Sequence, residues 1–157
     1  MSHFSRVVGI DPTTRGFSYA VLEGRDNLID WGLCHLLVRT DSAVLSRVGQ
    51  VLQRYNPDVL VVEDGRGTKR RARACRLIHG IEAIAKRQNI PLVRVSRSAI
   101  RRTLAPAQTK QEIAEAVARY FPELASRLPR PRKPWMTEDE RMNIFDAVSL
   151  VLGAPWQ

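Results

Sequence analysis

Up to residue 38 the apolar positions come in short runs rich in valine, isoleucine and aromatics. Beyond it they recur every three or four places, interrupted by two further short runs. Residues 6–11, 17–23 and 28–38 read as three strands in a meander, with a turn at residues 24–27 between the second and third. Asp41 or Ser42 caps a helix that runs to Tyr55, where Asn56-Pro57 stops it; Val44, Leu45, Val48, Val51 and Leu52 form its apolar face. Residues 58–63 are almost continuously aliphatic, as in a strand covered on both faces. A basic helix over about 70–88 follows, then strand 92–95, then a short helix capped by Ser96 or Ser98 and ending before Pro106. Another helix spans 109–121, residues 122–136 form a proline-rich loop, and a last helix runs from 138 to 152. Thr137-Glu138-Asp139-Glu140 has the spacing of a capping box, which makes Glu140 a cap for that helix. The order βββαβαβααα predicts one α/β domain over 1–157: a mixed five-stranded sheet, three strands antiparallel and then two parallel, with helices on both faces.

Composition narrows the class. With 44% apolar residues the chain buries a core, and no apolar run reaches the length of a membrane span or a signal peptide. Cys34 and Cys75 fit no metal-binding spacing and are expected as free thiols of a cytoplasmic protein. The net charge of +9 changes the picture more, because more than half of the 25 basic residues fall in three short stretches. Arg66, Lys69, Arg70, Arg71, Arg73 and Arg76 form the first; Arg94, Arg97, Arg101 and Arg102 the second; Arg127, Arg130, Arg132 and Lys133 the third. Such clustering points to a polyanionic partner.

Three acids stand where a buried sheet and helix should not have them. Asp11 ends the first strand, Glu63 ends the fourth, and Asp146 sits mid-helix among Ile144, Phe145, Ala147, Val148 and Leu150. Two have an ordinary alternative, an Asx-turn into Pro12 for Asp11 and a strand-end ion pair with a nearby arginine for Glu63, whereas a charge at Asp146 needs a reason. Asp64 alternates to the opposite face. Asn143 and Asp139 precede Asp146 by three and seven residues, on the same helical face. Together the acids suggest carboxylates that converge on one point. Hard oxygen donors of that kind bind Mg²⁺ or Mn²⁺, and two such ions can drive phosphodiester cleavage.

The segment GIDPTTRGFSYAVLEG resembles the first two strands of the RuvC family of Holliday junction resolvases, and VVED resembles the family's second acidic site. RSAIRRTLAPAQTKQEIAEAV is similar to its basic segment and lysine-bearing helix, and NIFDAVSLVL to its final acidic helix. The resemblance runs in order from about residue 6 to 152. It implies an RNase H-like nuclease fold, a homodimer, and two-metal cleavage of branched DNA, the four-way junction, by paired symmetric nicks. It further implies that Asp11, Glu63 and Asp146 hold two Mg²⁺ or Mn²⁺ ions, with Asn143 or Asp139 completing the site. Lys110 would contact the scissile region. Arg66, Lys69, Arg70, Arg71, Arg73, Arg101, Arg102, Arg132 and Lys133 are the expected DNA-binding residues.

Two departures stand out. Asn143 occupies a place where the family usually carries an acid or a histidine, so ion affinity should fall. After Glu63, DGRGTKRRARACR has no aromatic residue, where family members often place one that opens the junction; an arginine or Trp135 is left for that task, and Trp135 equally suits packing on the last helix. GIDPTT is also similar to the phosphate-binding turn of actin-like ATPases, but that class needs a second domain for which 157 residues leave no room. Two rivals stay open: a related nuclease acting on an RNA precursor, and a weakened junction-binding protein. The helix over 70–88, with Leu77, Ile78, Ile81 and Ile84 along one side, is an expected dimer interface or, equally, core.

Overall fold

In a computed structural model that describes residues 5–65 and 72–156, five strands form one sheet in the order β3-β2-β1-β4-β5. Strands β1 (Arg6–Thr13), β2 (Gly16–Glu23) and β3 (Leu28–His35) form an antiparallel meander. Strand β4 (Val59–Glu63) lies parallel to β1 on its other side, and β5 (Leu92–Val95) lies parallel to β4. The mixed sheet predicted from the apolar pattern is thus the sheet observed. β1 is its middle strand, and six successive residues of it are buried.

Alternation along β1 and β4 divides the core in two. Val8, Ile10, Leu60 and Val62 face α1 (Asp41–Tyr55) and α2 (Ala72–Arg87). Val7 and Val61 face α3 (Arg97–Thr103), α4 (Lys110–Tyr120) and α5 (Met142–Gly153). α5 is wedged between the sheet and α3 and α4, which explains apolar residues on nearly every side of it. Gly9 of β1 makes that wedge fit: a Cβ there would stand 2.5 Å from Val151 Cγ2 and 2.9 Å from the Ala147 carbonyl oxygen.

Several local expectations are corrected. α1 is capped by Thr40, whose hydroxyl accepts from the Ala43 N–H, and not by Asp41 or Ser42. β3 ends at His35, leaving Leu37 and Val38 exposed. The loop after α4 begins as a 3₁₀ turn over Pro122–Arg127. α5 starts at Met142, four residues later than expected, because Asp139 turns back to accept the Arg141 N–H and its guanidinium. The capping box at Thr137–Glu140 therefore does not form. Glu140 pairs with Arg15 at 2.9 Å instead, with His35 3.8 Å away. The stripe on α2 is core: Leu77, Ile78, Ile81 and Ile84 are buried against the sheet, so they offer no dimer interface.

Among the described residues no helix is long and apolar enough to cross a membrane, and Cys34 and Cys75 are free thiols.

Candidate active site

The Gly9–Val61 pair sets the register between β1 and β4. Two residues further along each strand come Asp11 and Glu63, on the same face of neighbouring strands just past the last paired residues. Both are buried, at 7% and 6% relative exposure. Their face is the one that α5 covers. Because Gly9 lets Ala147 touch the sheet, the residue before it, Asp146, is set over the end of β1.

Asp146 feels that position. Its carboxyl is pushed up to about 7, first by burial and then by the charge of Asp11, against the pull of Lys110. Lys110 is the first residue of α4, fixed by a capping box in which the Thr109 hydroxyl accepts the Glu112 N–H and Glu112 accepts the Thr109 N–H. Its ammonium lies 3.2 Å from Asp146 Oδ2 and 2.7 Å from Glu138 Oε1. Burial alone would lower the Lys110 pKa, but Asp146 and Glu138 together hold it above its ordinary value. Glu63 accepts from Arg97 Nε at 3.1 Å; Arg97 opens α3, which Ser96 caps.

These groups share a cleft of about 750 Å³. Of the residues predicted for the site, the structure brings Asp11, Glu63, Asp146, Asn143, Asp139, Lys110, Arg73 and Arg101 to its walls. Arg73 donates to the Thr13 carbonyl at 2.8 Å, tying α2 to the turn after Asp11. Asp139 is held by Arg141, which keeps its carboxyl below the usual range. Arg102 is exposed away from this lining, and Arg132 and Lys133 sit exposed on the proline-rich loop. Arg66, Lys69, Arg70 and Arg71 lie outside the described residues.

Among the charged wall residues, Arg15, Glu138 and Glu140 were not expected at the site from the sequence, and Arg97 was read only as part of a basic stretch. Arg97 had a signal, being an arginine directly after a capping serine at the end of a parallel strand. Glu138 had none, since its place depends on where α5 begins. Among the described residues no three His, Cys, Asp or Glu side chains stand gathered as an ion-binding cluster. Glu63 is turned towards Arg97, and Asp146 and Glu138 towards Lys110. In donor type the set still suits a hard divalent cation: carboxylates and one amide, with no cysteine or histidine among the described residues that line the cleft.

No family model matches the chain, and no curated protein does. Solved structures do. RuvC of T. thermophilus, in complex with a Holliday junction substrate, superposes with a TM-score of 0.70 at 18% identity, over 95% of this chain and 91% of that one. The yeast mitochondrial Holliday junction resolvase gives 0.62 at 16% identity, over 98% of this chain and 78% of the other. A fowlpox virus resolvase, solved with its substrate Holliday junction DNA, gives 0.56 at 16%, over 94% and 93%. At these identities the likeness is one of fold. The chain has the RNase H-like sheet and helix arrangement of these resolvases.

Proposed function

We propose that this chain is a metal-dependent endonuclease that resolves four-way DNA junctions by paired symmetric nicks, working as a homodimer in the cytoplasm. One observation carries the reading: Asp11, Glu63 and Asp146, from two central strands and a buried helix, open on a single cleft that Arg15, Arg73, Arg97, Arg101 and Lys110 also line. The likeness in fold to three resolvases supports the choice of substrate.

In this reading Asp11, Glu63 and Asp146 hold two Mg²⁺ or Mn²⁺ ions, with Asn143 supplying an amide oxygen or Asp139 a carboxylate. Such ions, when bound, activate water and stabilise the leaving oxygen of a phosphodiester. The chain's own part follows from its contacts. Asp146 has to give up the proton that burial and Asp11 favour, and to exchange Lys110 for a stronger cation. Lys110, so released, stands at the N-terminus of α4 and can neutralise the scissile phosphate. Arg97, released from Glu63, and Arg101 hold the flanking phosphates. Two copies about a two-fold axis give the two nicks.

The test is to incubate the protein with a mobile four-way junction, a linear duplex and a structured RNA, each with Mg²⁺, Mn²⁺ or EDTA. Paired nicks on the junction alone, dependent on metal and lost in Asp11→Asn with binding kept, are the expected result. Cleavage of the RNA in preference would establish the RNA nuclease. Binding to the junction without nicks in either metal would establish a weakened junction-binding protein, a reading that Asn143 favours because an amide brings no charge to an ion.

A further inference from the structure

The proline-rich loop before α5 carries an exposed aromatic that the cleft chemistry does not use. Trp31 and Trp156 pack against the core, whereas Trp135 is 78% exposed and its neighbour Met136 is 50% exposed. A large apolar pair left in water calls for something to cover it. The backbone presents it on a built feature. Met136 N–H donates to the Lys133 carbonyl at 2.9 Å, which closes a turn with Pro134 at its second position and Trp135 at its third. Arg132 Nη1 donates to the Met136 carbonyl at 3.2 Å and braces the same turn. Lys133 Nζ stands 5.4 Å from the indole centroid. Arg130, Arg132 and Lys133 are all exposed, and no acidic residue stands between Glu123 and Glu138 to neutralise them. One residue beyond Met136, Thr137 begins the run through Glu140 that lines the cleft.

An indole on a cationic turn has the chemistry of a nucleobase platform: the ring stacks on a base face while the cations hold the phosphates beside it. In an intact duplex those faces are already stacked on one another. They come free only where the helix branches, frays or is interrupted. We infer that Trp135, on its braced turn, stacks on an unstacked base at the branch point of the DNA, and so selects branched over continuous duplex without reading sequence. This rests on the proposed nuclease reading and places the branch-sensing aromatic on the loop before α5, away from the segment after Glu63. Trp135 acts here as a binding residue, not as part of the cutting machinery.

The experiment compares the parent chain with Trp135→Ala and Trp135→Phe in EDTA, so that nothing is cut. Affinity is measured for a four-way junction, for the same junction with abasic sites at the crossover, and for linear duplex. Trp135→Ala should weaken junction binding between about 5- and 150-fold, the usual worth of one base–aromatic stack, and change duplex binding less than about twofold. Trp135→Phe should recover most of the loss. The abasic junction should weaken the parent but not Trp135→Ala, because the lost partner is the same. Matching thermal unfolding curves for the three proteins confirm that the folds are equal. If the parent prefers the junction and Trp135→Ala binds it equally well, or loses junction and duplex in the same proportion, the stacking role is overturned while the nuclease reading stands. If the parent shows no preference for branched DNA, both fall.

Discussion

Asp146 carries a proton at a pH where an ordinary aspartate has long lost one. Its carboxyl titrates at about 7, raised by burial and by Asp11, whereas an unfolded aspartate titrates near 4. Between those values the folded state binds the extra proton, so stability without metal falls as pH rises through the window. Asp146→Asn keeps the shape and removes the charge. In metal-free buffer it should be more stable than the parent by on the order of 2 kcal/mol at pH 8, about half of what the shift alone gives, since the side chain keeps 22% exposure and water screens part of the penalty. The gap should close by about pH 4, as thermal unfolding across that range will show; a constant gap would contradict the assignment. Asn143 offers the complementary test. It lines the same cleft, and Asn143→Asp adds the charge that an amide lacks. The divalent concentration needed for half-maximal cleavage should drop several-fold, and an unchanged metal titration would remove Asn143 from the ligand set.

At the scale of elements, the contact between Gly9 and α5 sets the geometry. The missing side chain lets Ala147 and Val151 rest on β1, and this holds Asp146 over Asp11. Gly9→Ala forces a Cβ into space that Val151 Cγ2 and a backbone oxygen already fill. A cost of about 1–3 kcal/mol follows, and with it a larger loss of cleavage than of stability, since α5 can move away from the sheet and remain folded. Equal losses in denaturant midpoint and in rate would refute that division. The same contact shows why the sequence was legible where it was. Strand alternation placed Asp11 and Glu63 on one face, and an all-apolar α5 announced a buried acid, because both signals are periodic. The start of α5 was misplaced for a physical reason. Thr137 and Glu140 have capping spacing, but Arg141 draws Asp139 into a turn and Arg15 draws Glu140 away. The Arg15–Glu140 pair joins residues far apart in the chain and leaves no trace in local pattern, and Glu138 was missed with it. The stripe on α2 was ambiguous in sequence because an apolar helix face looks the same against a core as against a second copy.

Across the whole molecule, the +9 charge is distributed unevenly. Many cleft cations are already paired with acids: Arg15 with Glu140, Arg97 with Glu63 and Lys110 with Asp146 and Glu138. On the loop before α5, by contrast, Arg130, Arg132 and Lys133 are exposed with no acidic residue between Glu123 and Glu138, so DNA attraction should begin there. Six to ten phosphate contacts imply an affinity loss of about 10³–10⁵ between 50 and 200 mM salt. A binding curve that barely responds to salt would mean that the basic stretches are not the substrate surface. The order of the chain adds a consequence in time. Strands bearing Asp11 and Glu63 leave the ribosome early, and the helix that carries Asp146 is made some eighty residues after them. Any chemistry that requires all three acids is withheld from the nascent polypeptide until that helix docks, so on the proposed nuclease reading an unfinished molecule has no cutting site.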